Sequence, residues 1–442
     1  MSKKWGHAMN INEKKYPKIL VISNNPFSKT SNNGKTLASF FREFPPENIA
    51  QIYFSSEIPT EERYFNYYRI TDIQVLKSLL TFASPGSEIK INKKKSETEK
   101  KLIKNTYKFI PKSDFFRLLR DFMWKSKKWQ SSELINWIKT FSPDIIFFCA
   151  GDTGFVYDVV SFVLNITKAK LITYITDDYI LPRNTISIFW WIRRNIIFKK
   201  MYNAVSRSNL FITISEQMRK TYKELFKKDS IVALNMTETM RMENFDSKKL
   251  DKNYINLIYA GGLHYKRYET LSLLAEAINY YNYQSRNNKA FLSIYSTTVP
   301  NKKILNKLNI QGASRFLGEL NYEELKLKLN EADILVHVES FNLKSIESTR
   351  LSISTKIPEY LSLAKPILAI GPEEVASMKY LKDVAYCITR INDIKNEVSN
   401  FLNDAKLRNY LSVLSLDKYS TNHNIKVLRK EFEDKIFEIM SE

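Results

Sequence analysis

Short runs of aliphatic and aromatic residues recur along the chain, each followed by a longer stretch with helical spacing or dense charge. In the first half they fall at 18–25 (KILVISNN), 49–55 (IAQIYFS), 144–151 (DIIFFCAG), 170–176 (KLITYIT), 209–215 (NLFITIS) and 230–235 (SIVALN). The second half repeats them at 256–261 (NLIYAG), 291–297 (FLSIYST), 314–319 (SRFLGE), 333–339 (DILVHVE), 366–371 (PILAIG) and 384–389 (VAYCIT). Near-continuous apolar strands alternating with helices are the pattern of parallel sheets covered on both faces. Two such sets predict an α/β chain of two doubly wound, Rossmann-like domains facing each other across a cleft. The boundary falls at the polar segment MRMENFDSKKLDKNY, giving domains over 1–240 and 255–417 with a linker over 241–254. Residues 57–143 are less regular, with a lysine-rich stretch from Lys90 to Lys104 that reads as a solvated loop and an aromatic-basic stretch from Tyr107 to Trp137. The segment 418–442 reads as one C-terminal helix with Ile425, Leu428, Phe432, Ile436 and Ile439 on its apolar face.

Composition narrows the class. A chain of 442 residues suits two or three domains, and 44% hydrophobic with 26% charged residues excludes wholesale disorder. No apolar run reaches the roughly 18 residues of a membrane span, and the N-terminal MSKKWGHAMNINEKKYPK has no apolar signal core. Cys149 and Cys387 stand alone in their halves, and four His offer little for a metal site, so the expected compartment is the cytosol. The charge is uneven: residues 1–250 carry +18 and residues 251–442 only +3. The first half is therefore expected to meet an anionic partner, whether a lipid surface, nucleic acid or a phosphorylated substrate.

The sharpest local signal is Ser354-Thr355-Lys356-Ile357-Pro358-Glu359-Tyr360-Leu361, followed by Lys365-Pro366-Ile367. It predicts a loop, a short helix from about Lys356 and a buried strand, with Ser354 or Thr355 as cap and Pro358 in the first turn. Free N–H groups, a hydroxyl and a lysine suit a diphosphate. The Glu359 carboxylate only accepts hydrogen bonds, which suits the two donating hydroxyls of a ribose. An ordinary capped helix with a dipole-stabilising Glu fits the same residues.

The Thr355–Leu361 segment with its Lys-Pro-Ile turn resembles the donor-site motif of the GT-B-type retaining glycosyltransferases, in which a glutamate meets the ribose of a nucleotide sugar. Three further segments match in order. Tyr259-Ala260-Gly261-Gly262-Leu263-His264-Tyr265-Lys266-Arg267 is similar to the family's diphosphate loop, which implies that Gly261, Gly262 and Lys266 meet the diphosphate. Glu331-Ala332-Asp333-Ile334-Leu335-Val336 and Ser208-Asn209-Leu210-Phe211-Ile212-Thr213-Ile214-Ser215-Glu216 resemble two of its strand entries. The chain departs where the family often carries an additional glutamate, since Leu351 stands there and Glu339 and Glu347 are off register. The arginine that commonly follows the glycines is displaced to Arg267, and Arg350 becomes a candidate for phosphate charge.

In the first domain, Ser31-Asn32-Asn33-Gly34-Lys35-Thr36 opens a helix after the first strand. It lacks the upstream glycine of a P-loop, because Lys29 stands there. The resemblance implies instead that this loop approaches the donor, with Gly34 permitting contact and Lys35 adding charge. A polar surface loop is the plain alternative. Asp152 leaves a strand end and is the candidate acceptor-side carboxylate, catalytic if it orients or deprotonates a hydroxyl and a helix cap otherwise. Asp177-Asp178 reads as structural or acceptor-contacting, and no metal is expected. Trp190, Trp191, Arg193, Arg194, Lys199 and Lys200 fall in one segment that suits an anionic membrane surface, or a packing helix with a charged outer face.

These readings converge on a retaining, metal-independent glycosyltransferase without a cofactor. It would move a sugar from a nucleoside diphosphate sugar to a glycan, lipid-linked, in surface polysaccharide assembly. It would sit in the cytoplasm, peripheral on the inner membrane face, and bind no nucleic acid. The rivals are an inactive sugar-nucleotide-binding partner of another transferase and a nucleic-acid-binding protein using the basic half.

Overall fold

A computed structural model describes residues 15–29, 32–81, 83–89, 113–243, 254–285 and 289–441. The lysine-rich stretch Lys90–Lys104, Ser31 and most of the 241–254 linker lie outside the described residues.

The first half builds β1 (Ile19–Ser23), β2 (Ile49–Tyr53), β3 (Asn66–Arg69), β4 (Ser87–Glu88), β5 (Ile145–Ala150), β6 (Lys170–Ile175), β7 (Leu210–Thr213) and β8 (Ile231–Val232). The second builds β9 (Tyr254–Ala260), β10 (Lys289–Tyr295), β11 (Ser314–Gly318), β12 (Ile334–Val338), β13 (Ile367–Ile370) and β14 (Tyr386–Ile388). All twelve expected strands are present, their ends within three residues of the expected positions. They form an eight-stranded sheet ordered β4-β3-β2-β1-β5-β6-β7-β8 and a six-stranded sheet ordered β11-β10-β9-β12-β13-β14. Apart from the antiparallel β3–β4 pair, the pairings are parallel.

The strand order reverses at β1/β5 in one sheet and at β9/β12 in the other. In open parallel sheets the crevice beyond the carboxyl ends at such a point receives ligands. The apolar runs explain why the sheets are buried on both sides. Ile19 to Ile22 have no exposed surface, and neighbours along β9 alternate between two separate cores, Leu257 and Tyr259 in one, Ile258 and Ala260 in the other.

The C-terminal segment differs from the single helix expected over 418–442. One helix, Ala405–Asn422, ends at His423, and a second, Ile425–Ser441, begins beyond it. His423 is fully buried, with its ring nitrogens 2.7 Å from the Asn235 carbonyl and 2.7 Å from the Tyr380 hydroxyl. Those partners fix the turn, and the second helix crosses back to the first sheet. There Phe432, Ile436 and Ile439 join its core, and the Phe432 ring lies 4.9 Å from Phe40 and 5.8 Å from Phe41.

This docking predicts a large penalty for truncating its anchor. Phe432→Ala should lower the unfolding free energy by about 3–5 kcal/mol, whereas Val427→Ala, on the exposed side of the same helix, should change it by less than about 0.5 kcal/mol. Equilibrium denaturant unfolding of both variants checks the difference.

Candidate functional site

One cavity of about 1350 Å³ opens between the two sheets. From the first half it is lined by Ser28 and Lys29, Lys35 to Ser39 except for buried Leu37, and Asn235 to Glu238; from the second by Gly261, Gly262, His264, Ser296 to Thr298, Glu319 to Tyr322, Thr355, Lys356 and Glu359. Each group follows a strand or opens a helix at a carboxyl edge, so the topology itself gathers them.

Glu359 is one of the residues lining this cavity. It lies in the short helix Lys356–Leu361, which begins where the sequence predicted. Its carboxylate is almost completely buried, with one oxygen 2.9 Å from Lys356 Nζ and the other 3.9 Å from Lys35 Nζ across the cleft. Lys35 also lies over the Tyr322 ring at 5.2 Å. The next residue, Tyr360, bolts the helix to the end of β9. Its hydroxyl accepts from Ala260 N–H at 2.9 Å, one residue before Gly261 and Gly262. The carboxylate and the glycine loop are therefore positioned as a unit.

Other expected residues take different places. Thr355 lines the cavity but does not cap the helix through its side chain, and Ser354, outside the lining, is the hydroxyl nearest to doing so, 3.4 Å from Lys356 N–H. Gly34 is buried, and a Cβ there would sit 2.4 Å from the Pro26 carbonyl oxygen. Its small size serves the close packing of its own loop, not an open cradle. Lys266 stands in the left-handed conformation at the residue before the helix Arg267–Gln284, is half exposed and pairs with Glu269 at 3.7 Å. It is outside the cavity lining, and so is Arg267, which holds the buried Glu339 in a two-pronged pair at 3.1 and 2.9 Å. Burial pushes the Glu339 carboxyl upward, but Arg267 and His337 outweigh it and hold the pKa at about 2.

Asp152 is not a free acceptor-side base. Its carboxylate lies 2.5 Å from Arg117 and 2.8 Å from Arg193. Burial opposes its charge, yet the two guanidinium groups keep its pKa below the ordinary carboxylate value. Similar contacts favour the packing-helix alternative for most of the Trp190–Lys200 cations. Arg193 is buried and paired with Asp114 as well, Arg194 donates to the Ile180 carbonyl, Lys200 pairs with Asp158, and Trp190 is half-buried against Trp191. Trp191 and Lys199 are exposed.

Asp178 and Arg350 find each other instead of ligands. Arg350 donates to Asp178 Oδ2 through Nε at 3.1 Å and Nη2 at 2.9 Å, and Ser352 donates to Asp177 at 2.8 Å. Among the described residues, no group of three His, Cys, Asp or Glu could hold a metal ion.

Several cavity residues were not foreseen. His264 stands beside the glycines, its pKa lowered by burial and by Arg267. Tyr322 opens the helix Tyr322–Glu331 behind a capping box of Asn321 and Glu324, a local signal that marks a helix start and says nothing of a cleft.

No family model matches the chain, and no curated protein matches it in sequence. Solved structures match over nearly its whole length. A sucrose-phosphate synthase from Thermosynechococcus elongatus aligns with TM-score 0.64 and 10% identity, covering 96% of this chain and 100% of that one. An alpha,alpha-trehalose-phosphate synthase (UDP-forming) from Burkholderia xenovorans, in complex with glucose-6-phosphate, aligns with TM-score 0.58 and 8% identity over 95% and 99%. A trehalose-6-phosphate synthase studied for glycosyltransfer with retention aligns with TM-score 0.56 and 10% identity over 95% and 99%. The chain thus has the GT-B arrangement of two parallel-sheet domains, as its motifs led one to expect.

The Arg267–Glu339 pair predicts acid sensitivity. The folded carboxyl titrates near 2 against an ordinary 4.5, so its stabilisation is full above about pH 5 and is lost as the pH falls toward 2. It amounts to roughly 3 kcal/mol. Glu339→Gln should be less stable than the parent at neutral pH and should show a shallower loss of stability between about pH 5 and pH 3. Unfolding free energies across that range check both.

Proposed function

We propose that this chain is a retaining glycosyltransferase that uses a nucleoside diphosphate sugar as donor. The observation that carries the reading is Glu359, a buried carboxylate in the interdomain cavity that, among the described residues, is held only by Lys356 and Lys35. A ribose offers two hydroxyl donors to those oxygens, and the two lysines it displaces are free to turn to the diphosphate beside them. Gly261 and Gly262 leave backbone accessible in the same cavity. The GT-B arrangement raises the prior for sugar transfer without fixing an activity. Lys35 and Lys356 take the phosphate-holding role that the motif resemblance implied for Lys266. As the sugar–phosphate bond breaks, charge builds on the leaving phosphate, and the lysines stabilise it there without a metal. That phosphate also takes up the acceptor hydroxyl proton, and the configuration at the anomeric carbon is retained.

The acceptor in this reading is a hydroxyl of a lipid-linked glycan in surface polysaccharide assembly, reached by a peripheral enzyme on the inner membrane face. The +18 charge of residues 1–250 supports it. Among the described residues no helix is long and apolar enough to cross a membrane, so attachment would be at the surface. The aligned trehalose-phosphate synthase holds glucose-6-phosphate, and transfer to a soluble sugar phosphate in place of a glycan would replace this acceptor assignment.

Ligand-induced stabilisation tests the donor. One of the UDP, GDP, CDP or dTDP sugars should stabilise the protein by about 2.7 kcal/mol at a hundred times its Kd. Glu359→Ala should weaken that donor by about 10- to 100-fold while the unliganded fold persists, because hydrogen bonds to a charged acceptor are lost. Unchanged affinity would sink the assignment. Donor turnover should continue in excess EDTA; loss restored by manganese would point to a different mechanism. Stabilisation without donor hydrolysis or transfer would identify an inactive sugar-nucleotide-binding partner.

A further inference from the structure

The helices Asp114–Trp124 and Ile188–Arg207 pack side by side, joined by the Phe115–Phe189 ring contact at 5.2 Å and the Arg193–Asp114 pair at 3.3 Å. Away from that contact they, with Ile186 just before the second, carry large apolar side chains that no described residue covers. Phe122 is 68% exposed, Ile188 72% and Ile186 100%, and Phe116, Leu119 and Ile192 are exposed beside them. Single exposed apolar residues are ordinary, but a contiguous ridge of them marks an interaction surface.

We propose that this ridge docks on the surface of an anionic lipid bilayer, an inference that rests on the lipid-linked acceptor reading and names the face that would serve it. Charge selects the occupant. The helix Ile188–Arg207 contains five cations and not one acidic residue. Asp114 is consumed by Arg193 and Asp158 by Lys200, and Asp121 faces inward, where it accepts from Phe155 N–H at 3.2 Å. The cations left exposed border the ridge. Lys125 lies 5.9 Å from the Phe122 ring centre, Lys127 follows it, and Lys199 stands seven residues, two turns, beyond Ile192. Apolar and aromatic groups flanked by free lysines suit the boundary between acyl chains and anionic headgroups. A second copy of this chain is the poorer fit, since it would bring two halves of +18 together. The residues that the segment's composition suggested, Arg193 and Lys200, are occupied within the fold; Leu119, Phe122, Ile188 and Lys125 carry the contact instead.

Co-sedimentation of the full chain with vesicles tests this. Binding is expected to mixed phosphatidylglycerol and phosphatidylcholine vesicles, not to phosphatidylcholine alone, and should be released as salt shortens the Debye length to well under about 10 Å. Leu119→Ser with Phe122→Ser, and separately Lys125→Glu with Lys199→Glu, should each reduce the partition coefficient by about tenfold or more. All four side chains are exposed, so folding and donor hydrolysis should stay at parental levels. A parent that ignores anionic vesicles at low salt, or variants that bind as well as the parent, would overturn the proposal. So would a dimer in sedimentation velocity that Leu119→Ser with Phe122→Ser dissociates. Vesicle binding by a chain that hydrolyses no donor upholds the ridge and defeats the transferase reading, while hydrolysis without vesicle binding does the reverse.

Discussion

The salt bridge between Asp178 and Arg350 fixes how the two sheets face each other. Asp178 leaves the end of β6 and its side chain has no exposed surface. One oxygen takes the N–H groups of Ile180 and Leu181 and the other takes Arg350. A buried carboxylate so fully engaged is costly to strip of its cation, by about 3–5 kcal/mol in comparable pairs. The neighbours of Arg350 extend the joint. Leu351 enters the core of the first sheet, and its carbonyl accepts the Ser215 hydroxyl at 2.6 Å. Five residues later the chain reaches Lys356 and then Glu359. The position of that carboxylate against Lys35 on the opposite wall is therefore set by a joint made before the helix begins.

The same geometry explains why Leu351 does not leave a hole in the site. A carboxylate at that position would be pressed into an apolar core, where its charge could not be hydrated. The two nearby glutamates are otherwise engaged: Glu339 with Arg267, and Glu347 accepting from Asn184 N–H at 2.9 Å. Glu359 is left as the carboxylate of this loop that faces the cavity.

What could be read from the sequence was local. The aliphatic runs announced their strands because burial on both faces demands them, and the Lys356–Leu361 helix began where the residues said. The strand β3 escaped because Asn66-Tyr67-Tyr68-Arg69 has no aliphatic run; Tyr67 and Tyr68 are nevertheless buried. Partnerships were not legible. Asp152 looked free at a strand end, yet Arg117 and Arg193 come from helices 35 residues before it and 41 after it in the chain. Arg193 looked like a surface cation for the same reason. The C-terminal helix was read as one element because its apolar spacing runs on, whereas the break at His423 comes from Asn235 and Tyr380, which the local pattern cannot contain.

The cleft is closed by contacts of unequal strength, and this bears on how a ligand could enter. At one side stands the buried Asp178–Arg350 joint. At another, the C-terminal crossover places Ile425 and Arg429 in the cavity wall, where Arg429 donates to the Ser39 carbonyl at 3.0 Å and pairs with Glu43 at 3.3 Å. Between them, Lys35 meets Glu359 at 3.9 Å with about half of the lysine side chain in solvent. At that distance, and with one partner half in solvent, this is a weak contact. In the proposed reading a donor leaves the walls in place: its two neutral hydroxyls replace Lys35 and Lys356 on the carboxylate, and its phosphate charge meets the two lysines it frees. The buried contacts hold the walls, and the lysine pairs that occupy the site are ones a ligand's own charge can take over, which is the division of labour a reversible binding cleft requires.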